Sequence, residues 1–377
     1  MANKSPEISI ILPCLNEEQA LGYCIDEIKQ VIKENKLNAE IIVVDNGSTD
    51  KSIEIAKQRK VNLINEPELG YGSAYLAGFK KAKGKYLFFA DSDASYSFKN
   101  IPKFIQELKQ GYDFVIGNRF KGHMEKSSMT WSHRYIGNPI LSSILRIFFR
   151  TNIKDSHCGM RAIKKQALEK LNLKTKGMEF ASEMVMKSIK RNIKTKEIPI
   201  NYYQRKGKSK LNSFADAWRH LRFMLLYSPL FLFFIPGLIL LLLGINSMIL
   251  LYFDKLQFFG IQFFYHPMFL SALLTIIGYQ LVIFALFAKT YAINHLGEKP
   301  SFNHLYKYIT IEKASISGIL LILLGTILYL TIFSKWISSN FGDLQEIKNS
   351  ILAMTLIIIG IQTISSSFML SILGIKE

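Results

Sequence analysis

Tyr86-Leu87-Phe88-Phe89-Ala90-Asp91-Ser92-Asp93-Ala94-Ser95 joins a short, wholly apolar run to two carboxylates one residue apart. Such a run, closed by turn-forming residues, reads as a buried strand of a parallel sheet. Along extended chain alternate side chains point the same way, so Asp91 and Asp93 can face one site together. Carboxylate oxygens suit a hard divalent ion such as Mg2+ or Mn2+. In open α/β sheets ligands bind outside the carboxyl ends of the strands. The alternative is an exposed acidic turn after a core strand, because Asp-x-Asp is a common pair.

The flanking sequence repeats the same design. Glu7 to Leu12 reads as a strand stopped by Pro13, and Glu17 to Lys33 carries apolar residues at helical spacing. Glu40 to Val44 is a second strand, closing in Asp45-Asn46-Gly47-Ser48-Thr49-Asp50, with a short helix over Ile53 to Gln58. Val61 to Ile64 is a third strand, and Gly70-Tyr71-Gly72 opens a helix to about Lys83. After the Asp91 strand come a helix over Lys99 to Lys109 and a strand over Asp113 to Ile116, ending in Gly117-Asn118-Arg119. Alternating strands and helices predict a mostly parallel α/β layer structure. There is no Gly-x-Gly-x-x-Gly after the first strand and no Gly-Lys-Ser/Thr loop, which argues against a dinucleotide oxidoreductase and a P-loop NTPase.

Residues 120–212 are less regular and strongly basic, with helices predicted over Trp131 to Phe149 and Phe180 to Arg191. The character then changes. Phe214, Trp218, Leu221 and Leu225 share one face of a helix over 213–228 while the polar Asp216, Arg219, His220 and Arg222 lie elsewhere, a pattern that fits the membrane interface. Apolar segments at about 229–252, 267–289, 314–334 and 350–373 are each long enough to cross a hydrocarbon core of roughly 30 Å.

Charge follows this division. The chain of 377 residues is 49% hydrophobic with a formal net charge of +18. From Phe223 onward there are 8 Lys, no Arg and 6 acidic residues, so the remaining +16 belongs to residues 1–222. An anionic partner is implied, and membrane phosphates explain it without any nucleic-acid module. Cys14, Cys24 and Cys158 form no disulfide or zinc pattern. The start, MANKSPEISI, lacks a signal-peptide core. Lys299, Lys307 and Lys313 put the connection 290–313 on the inner side. Four spans then leave the catalytic part and both termini in the cytoplasm of a bacterial or archaeal cell.

Three carboxylates, Asp45, Asp91 and Asp93, at one sheet edge suit a nucleoside diphosphate and its metal. Together with Pro13-Cys14-Leu15-Asn16-Glu17, the Gly70 to Gly78 segment and Gly117-Asn118-Arg119, they occur in the order seen in family 2 glycosyltransferases. Over residues 7–212 the chain resembles the dolichol- and polyprenol-phosphate mannosyl- and glucosyltransferases. The resemblance implies an A-type glycosyltransferase domain over 1–212, with a nucleotide-sugar half (1–119) and an acceptor half (120–212), followed by a membrane domain over 229–377. It implies a UDP- or GDP-hexose donor held by Pro13, Leu15, Asn16, Glu17, Asp45, Asn46, Gly72, Asp91, Ser92 and Asp93. By the same match Asp91 and Asp93 hold the metal and, with Arg119, form the catalytic set. Arg119, Arg134, Arg205, Ser209 and Lys210 would receive the acceptor phosphate. Two departures stand out: Asn46 replaces a usual Asp, and Ser95 replaces a frequent Gln, which puts a third metal contact in doubt.

A phosphate acceptor is also chemically reasonable. A sugar hydroxyl needs a general base, whereas a monophosphate with a second pKa near ~6 is largely dianionic at neutral pH. His157, Glu179 and Glu183 are read as structural. In-line attack would invert the anomeric centre. The alternatives are a processive polysaccharide synthase, disfavoured because Ala217-Trp218-Arg219 lacks the Gln-x-x-Arg-Trp pattern, and a non-enzymatic membrane scaffold. Self-association through the apolar helices is left open.

Overall fold

The computed structural model describes residues 5–207, 213–255, 257–258, 261–295 and 310–374. The chain divides into two compact units, Met1–Met224 and Leu225–Glu377.

The first unit is built on β1 (Ile8–Cys14), β2 (Ala39–Asp45), β3 (Asn62–Asn65), β4 (Tyr86–Phe89), β5 (Phe114–Asn118), β6 (Arg161–Lys164) and β7 (Thr195–Pro199). They form one sheet in the order β3-β2-β1-β4-β6-β5-β7. Only β6 runs antiparallel, to both β4 and β5. The helices are α1 (Leu21–Glu34), α2 (Ser52–Gln58), α3 (Tyr71–Lys81), α4 (Ile101–Lys109), α5 (Asn138–Phe149), α6 (Lys165–Leu171) and α7 (Phe180–Lys190). Their apolar residues cover the sheet: Ile10, Ile11, Phe88 and Phe89 are at most 1% exposed. The three cysteines are buried and unbridged.

Three expectations are corrected. β1 does not stop at Pro13, which pairs in register with Val44. Its carbonyl accepts the Ser92 hydroxyl at 2.5 Å. Nitrogen and carbonyl of one strand residue face the same side, so the missing N–H points towards β4, which has already ended at Phe89. No ladder bond is lost there. The first helix begins at Leu21 rather than Glu17, and the Glu17 and Glu18 N–H groups ahead of it donate to Ser52 Oγ and Asp50 Oδ2. And the stretch read as irregular contains β6. Arg161 disguises it, being 2% exposed with its guanidinium donating to the carbonyls of Cys158, Ala181 and Ser156.

Next comes α8 (Ser213–Leu226). Trp218 is exposed on it, but His220, expected on the polar side, is only 6% exposed. Ser182 Oγ, 2.8 Å from His220 Nδ1, gives the buried ring a partner.

Among its described residues the second unit has four helices long and apolar enough to cross a membrane: Leu230–Tyr252, His266–Asn294, Ile311–Ser338 and Ile347–Gly374. The last three extend beyond the expected segments. Gly318 and Gly360 bring the last two into backbone contact. A Cβ on Gly318 would meet Gly360 O at 2.7 Å, and one on Gly360 would meet Gly318 O at 2.6 Å. Small residues allow such approach where lipid provides no hydrophobic drive.

Asn46 is the joint between β2 and the loop entering α3. Its amide nitrogen donates to Glu66 O (2.9 Å) and Glu68 O (2.8 Å), while its oxygen accepts Gly70 N–H at 2.7 Å. An aspartate would set an anion against two carbonyls. Asn46→Asp should therefore destabilise the protein by about 1–3 kcal/mol, read as a lower unfolding temperature of the full chain in detergent. An unchanged temperature would refute this role of the amide.

Candidate active site

From β1 the sheet grows in both directions, to β2 on one side and β4 on the other. That makes the β1–β4 gap the topological switch point, where open α/β sheets bind ligands. A cavity of about 370 Å³ opens there. Its wall follows the strand order. Asn46 stands beyond β2, then Pro13, Leu15 and Glu17 at and beyond the end of β1, then Asp91, Ser92 and Asp93 beyond β4. His157, which precedes β6, and Arg119, which follows β5, complete the far end with Arg219 and His220 of α8.

Asp91 and Asp93 form the centre. Tyr71 donates its hydroxyl to Asp91 Oδ1 at 2.8 Å. Gly159 lies so close behind that a Cβ there would come within 2.4 Å of Asp91 Oδ2. Burial, reinforced by the neighbouring Asp93 carboxylate, pushes the Asp91 carboxyl up to about 6 despite Tyr71. Asp93 Oδ1 accepts both the backbone N–H and the hydroxyl of Ser95. Ser95 thus holds Asp93 rather than presenting itself beside it. Arg205 reaches over from the chain beyond β7, with one guanidinium nitrogen 3.7 Å from Asp93 Oδ2 and another 3.4 Å from Glu17 Oε1. Its Nε is buried without a hydrogen-bond partner. Among the described residues no group of three His, Cys, Asp or Glu side chains is placed to hold a metal ion.

Other residues singled out in the sequence stand behind this centre. Asp45 accepts the N–H groups of Gly47 and Ser48 at 3.3 Å, and Asn16 Oδ1 accepts Thr49 N–H at 2.7 Å. Both shape the turn after β2 rather than the cavity wall. Gly72 donates to Lys176 O at 2.9 Å, and a Cβ on it would lie 2.2 Å from Thr175 O, so it is covered by backbone. Arg119 lines the cavity but is also clamped by Asp155, at 2.8 Å through Nε and 2.7 Å through Nη2, and lies over the Tyr202 ring. Arg134 packs on Tyr135, away from the cavity wall. Ser209 and Lys210 lie outside the described residues.

The sequence reading passed over Tyr71, Gly159, Asp155 and the α8 pair. Tyr71 and Tyr75 at i and i+4 were a usable signal, since that spacing puts both on one helix face; the Tyr75 hydroxyl is 3.5 Å from Asp91 Oδ1. Nothing local marks Gly159 or Asp155, whose partners are distant in the chain. His157 is held well below the usual imidazole range, first by burial and then by His220, Arg119 and Arg161, so it is neutral. Glu183 is fully buried, accepting from Thr175 and paired with Lys187 at 2.7 Å.

Comparison with known proteins agrees with this architecture. Residues 9–172 match the glycosyl transferase family 2 domain, and residues 286–374 match the glycosyltransferase family 2 C-terminal transmembrane region. The low-salt glycan biosynthesis hexosyltransferase Agl6 of Haloferax volcanii is 33% identical over 372 residues, covering 98% of this chain and 90% of its own. A dolichyl-phosphate hexose transferase of the same organism is 28% identical over 56% of this chain and 89% of its own. Glucosyl-3-phosphoglycerate synthase from Mycobacterium tuberculosis, solved with Mn2+, UDP and glucosyl-3-phosphoglycerate, shares the fold, with a TM-score of 0.50, 18% identity, and 59% and 80% of the two chains covered. The protein is a membrane glycosyltransferase with an A-type catalytic fold, and it belongs to glycosyl transferase family 2.

Proposed function

We propose that the protein transfers a hexose, with inversion, from a UDP- or GDP-sugar to a polyprenyl or dolichyl phosphate. The observation that carries this reading is opposed charge in one cavity: Asp91 and Asp93 at its centre, with the guanidinium groups of Arg119 and Arg205 on its wall. The dolichyl-phosphate hexose transferase among the relatives supports it.

Two crowded carboxylates, one with its proton affinity raised, make a site short of positive charge, which fits Mg2+ or Mn2+ on Asp91 and Asp93. Such an ion supplies neutralisation of the departing diphosphate. The chain's own residues do the rest. Leu15 and Asn46 border the nucleotide end, and Ser92 locks the end of β1 beside the carboxylates. The buried, unpartnered Nε of Arg205 is a donor set for a phosphate oxygen. Arg119, fixed by Asp155, offers a positioned cation that needs no reorganisation. With His157 neutral and Glu183 engaged in structure, neither is needed as a base for an acceptor already ionised. The lysines of the connection 290–313 support a topology with the catalytic unit and both termini on the cytoplasmic side.

Purified protein given polyprenyl phosphate and a panel of radiolabelled nucleotide sugars should form an organic-extractable glycolipid and lose that activity with EDTA. Absence of product across the panel sinks the reading. Asp93→Asn should lower kcat at least about a hundredfold, as loss of a charge made for the transition state does; a loss confined to KM would point elsewhere.

A divalent ion held here would need the Asp91 carboxyl ionised, and burial pushes that carboxyl up to about 6. Cation affinity should therefore fall as pH drops through about 6. In the metal-free protein this group's contribution to stability has the opposite sense, present at low pH and lost as pH rises through about 6. The Mn2+-induced rise in unfolding temperature, compared at about pH 5 and about pH 7.5, checks this. Asp91→Asn should remove the pH step, and a step that persists assigns it to another group.

A further inference from the structure

Arg119 is held on the cavity wall by groups that stand behind it. Asp155, fully buried, accepts the Arg119 backbone N–H at 2.9 Å, Nε–H at 2.8 Å and Nη2–H at 2.7 Å. A buried ion pair repays its desolvation only where the geometry is close to ideal. Whatever fixes Asp155 therefore fixes Arg119 too. Asp155 lies outside the sheet, in the chain ahead of β6, and its place depends on what that segment is tied to.

Glu197, on the edge strand β7, supplies that tie. One of its carboxylate oxygens accepts the N–H groups of both Lys154 and Asp155, each at 2.8 Å. The other accepts Asn118 Nδ2–H at 3.2 Å, while Asn118 Oδ1 accepts Lys121 N–H at 3.0 Å. Asn118 is the last residue of β5, fully buried, and directly precedes Arg119. Glu197 thus reaches Arg119 by two routes, along the chain through Asn118 and across space through Asp155. It is not itself among the residues that line the cavity.

The chemistry of the position calls for a carboxylate. Both oxygens of Glu197 meet donors, and an amide has only one oxygen to offer. Turned one way, a glutamine would set its NH2 against the N–H groups of Lys154 and Asp155. Turned the other way, it would meet Asn118 Nδ2, and Asn118 could answer only by reversing its own amide and giving up Lys121 N–H. We propose that Glu197 is a positioning residue for the transfer reaction: by holding Asn118 and the Asp155 segment at once, it sets the Arg119 guanidinium where the acceptor phosphate arrives. This rests on the reading that Arg119 receives that phosphate.

Farnesyl phosphate titrated into the full-length protein in nanodiscs tests this by a double-mutant cycle, each variant held below its own unfolding temperature. Arg119→Ala should weaken binding about thirtyfold, as loss of hydrogen bonds to a charged group does. Glu197→Ala should weaken it about fivefold, and Glu197→Gln, nearly unchanged in shape, about threefold. In the Arg119→Ala background Glu197→Ala should cost nothing further, because residues that act through one another are not additive. A role in stability alone would add its loss in both backgrounds. Wild-type affinity in both Glu197 variants, or a further loss on top of Arg119→Ala, would each overturn the proposal. Wild-type affinity in Arg119→Ala would instead overturn the acceptor reading of Arg119, and the proposal with it.

Discussion

Two carboxylates held side by side at the mouth of a buried strand repel each other and lack water, and the catalytic unit is arranged around bearing that cost. Tyr71 donates to one, Ser95 doubly to the other, and Arg205 leans across from a part of the chain more than a hundred residues away in sequence. Each compensation is partial, and Asp91 still holds its proton more tightly than an ordinary aspartate. A site fully neutralised by its own side chains would have little left to offer a cation or a diphosphate.

The same economy is visible in the arginines. Arg161 is wholly structural, spending its donors on three carbonyls and so tying the loop before β6 to α7. Arg119 is divided: Asp155 fixes it while it remains on the cavity wall. Arg205 is the least committed, with both carboxylate contacts long and Nε unmet. This gradation runs from interior to cavity, and it separates residues that hold the site's shape from those that can respond to a ligand.

Much of this was legible in the sequence because it is local. Apolar runs ending in acidic turns located β1, β2 and β4, and the order of motifs placed their ends at one edge. The four spans were visible from length and hydropathy. What was hidden depends on contacts between distant segments. β6 escaped because a buried arginine interrupts its apolar pattern, and nothing in the helical spacing from Glu17 onward marks the later start of α1 at Leu21. His220 was assigned to a polar face because periodicity sees only the helix, not the Ser182 hydroxyl that lets an imidazole be buried. Asn46 looked like an aspartate that had lost its charge; its two donated hydrogen bonds show an amide whose nitrogen is the useful end.

The reciprocal contact of Gly318 and Gly360 reaches beyond packing. Because each glycine's missing side chain is the space filled by the other's carbonyl, a side chain added at either position would meet the neighbouring backbone and force the last two spans apart along that seam.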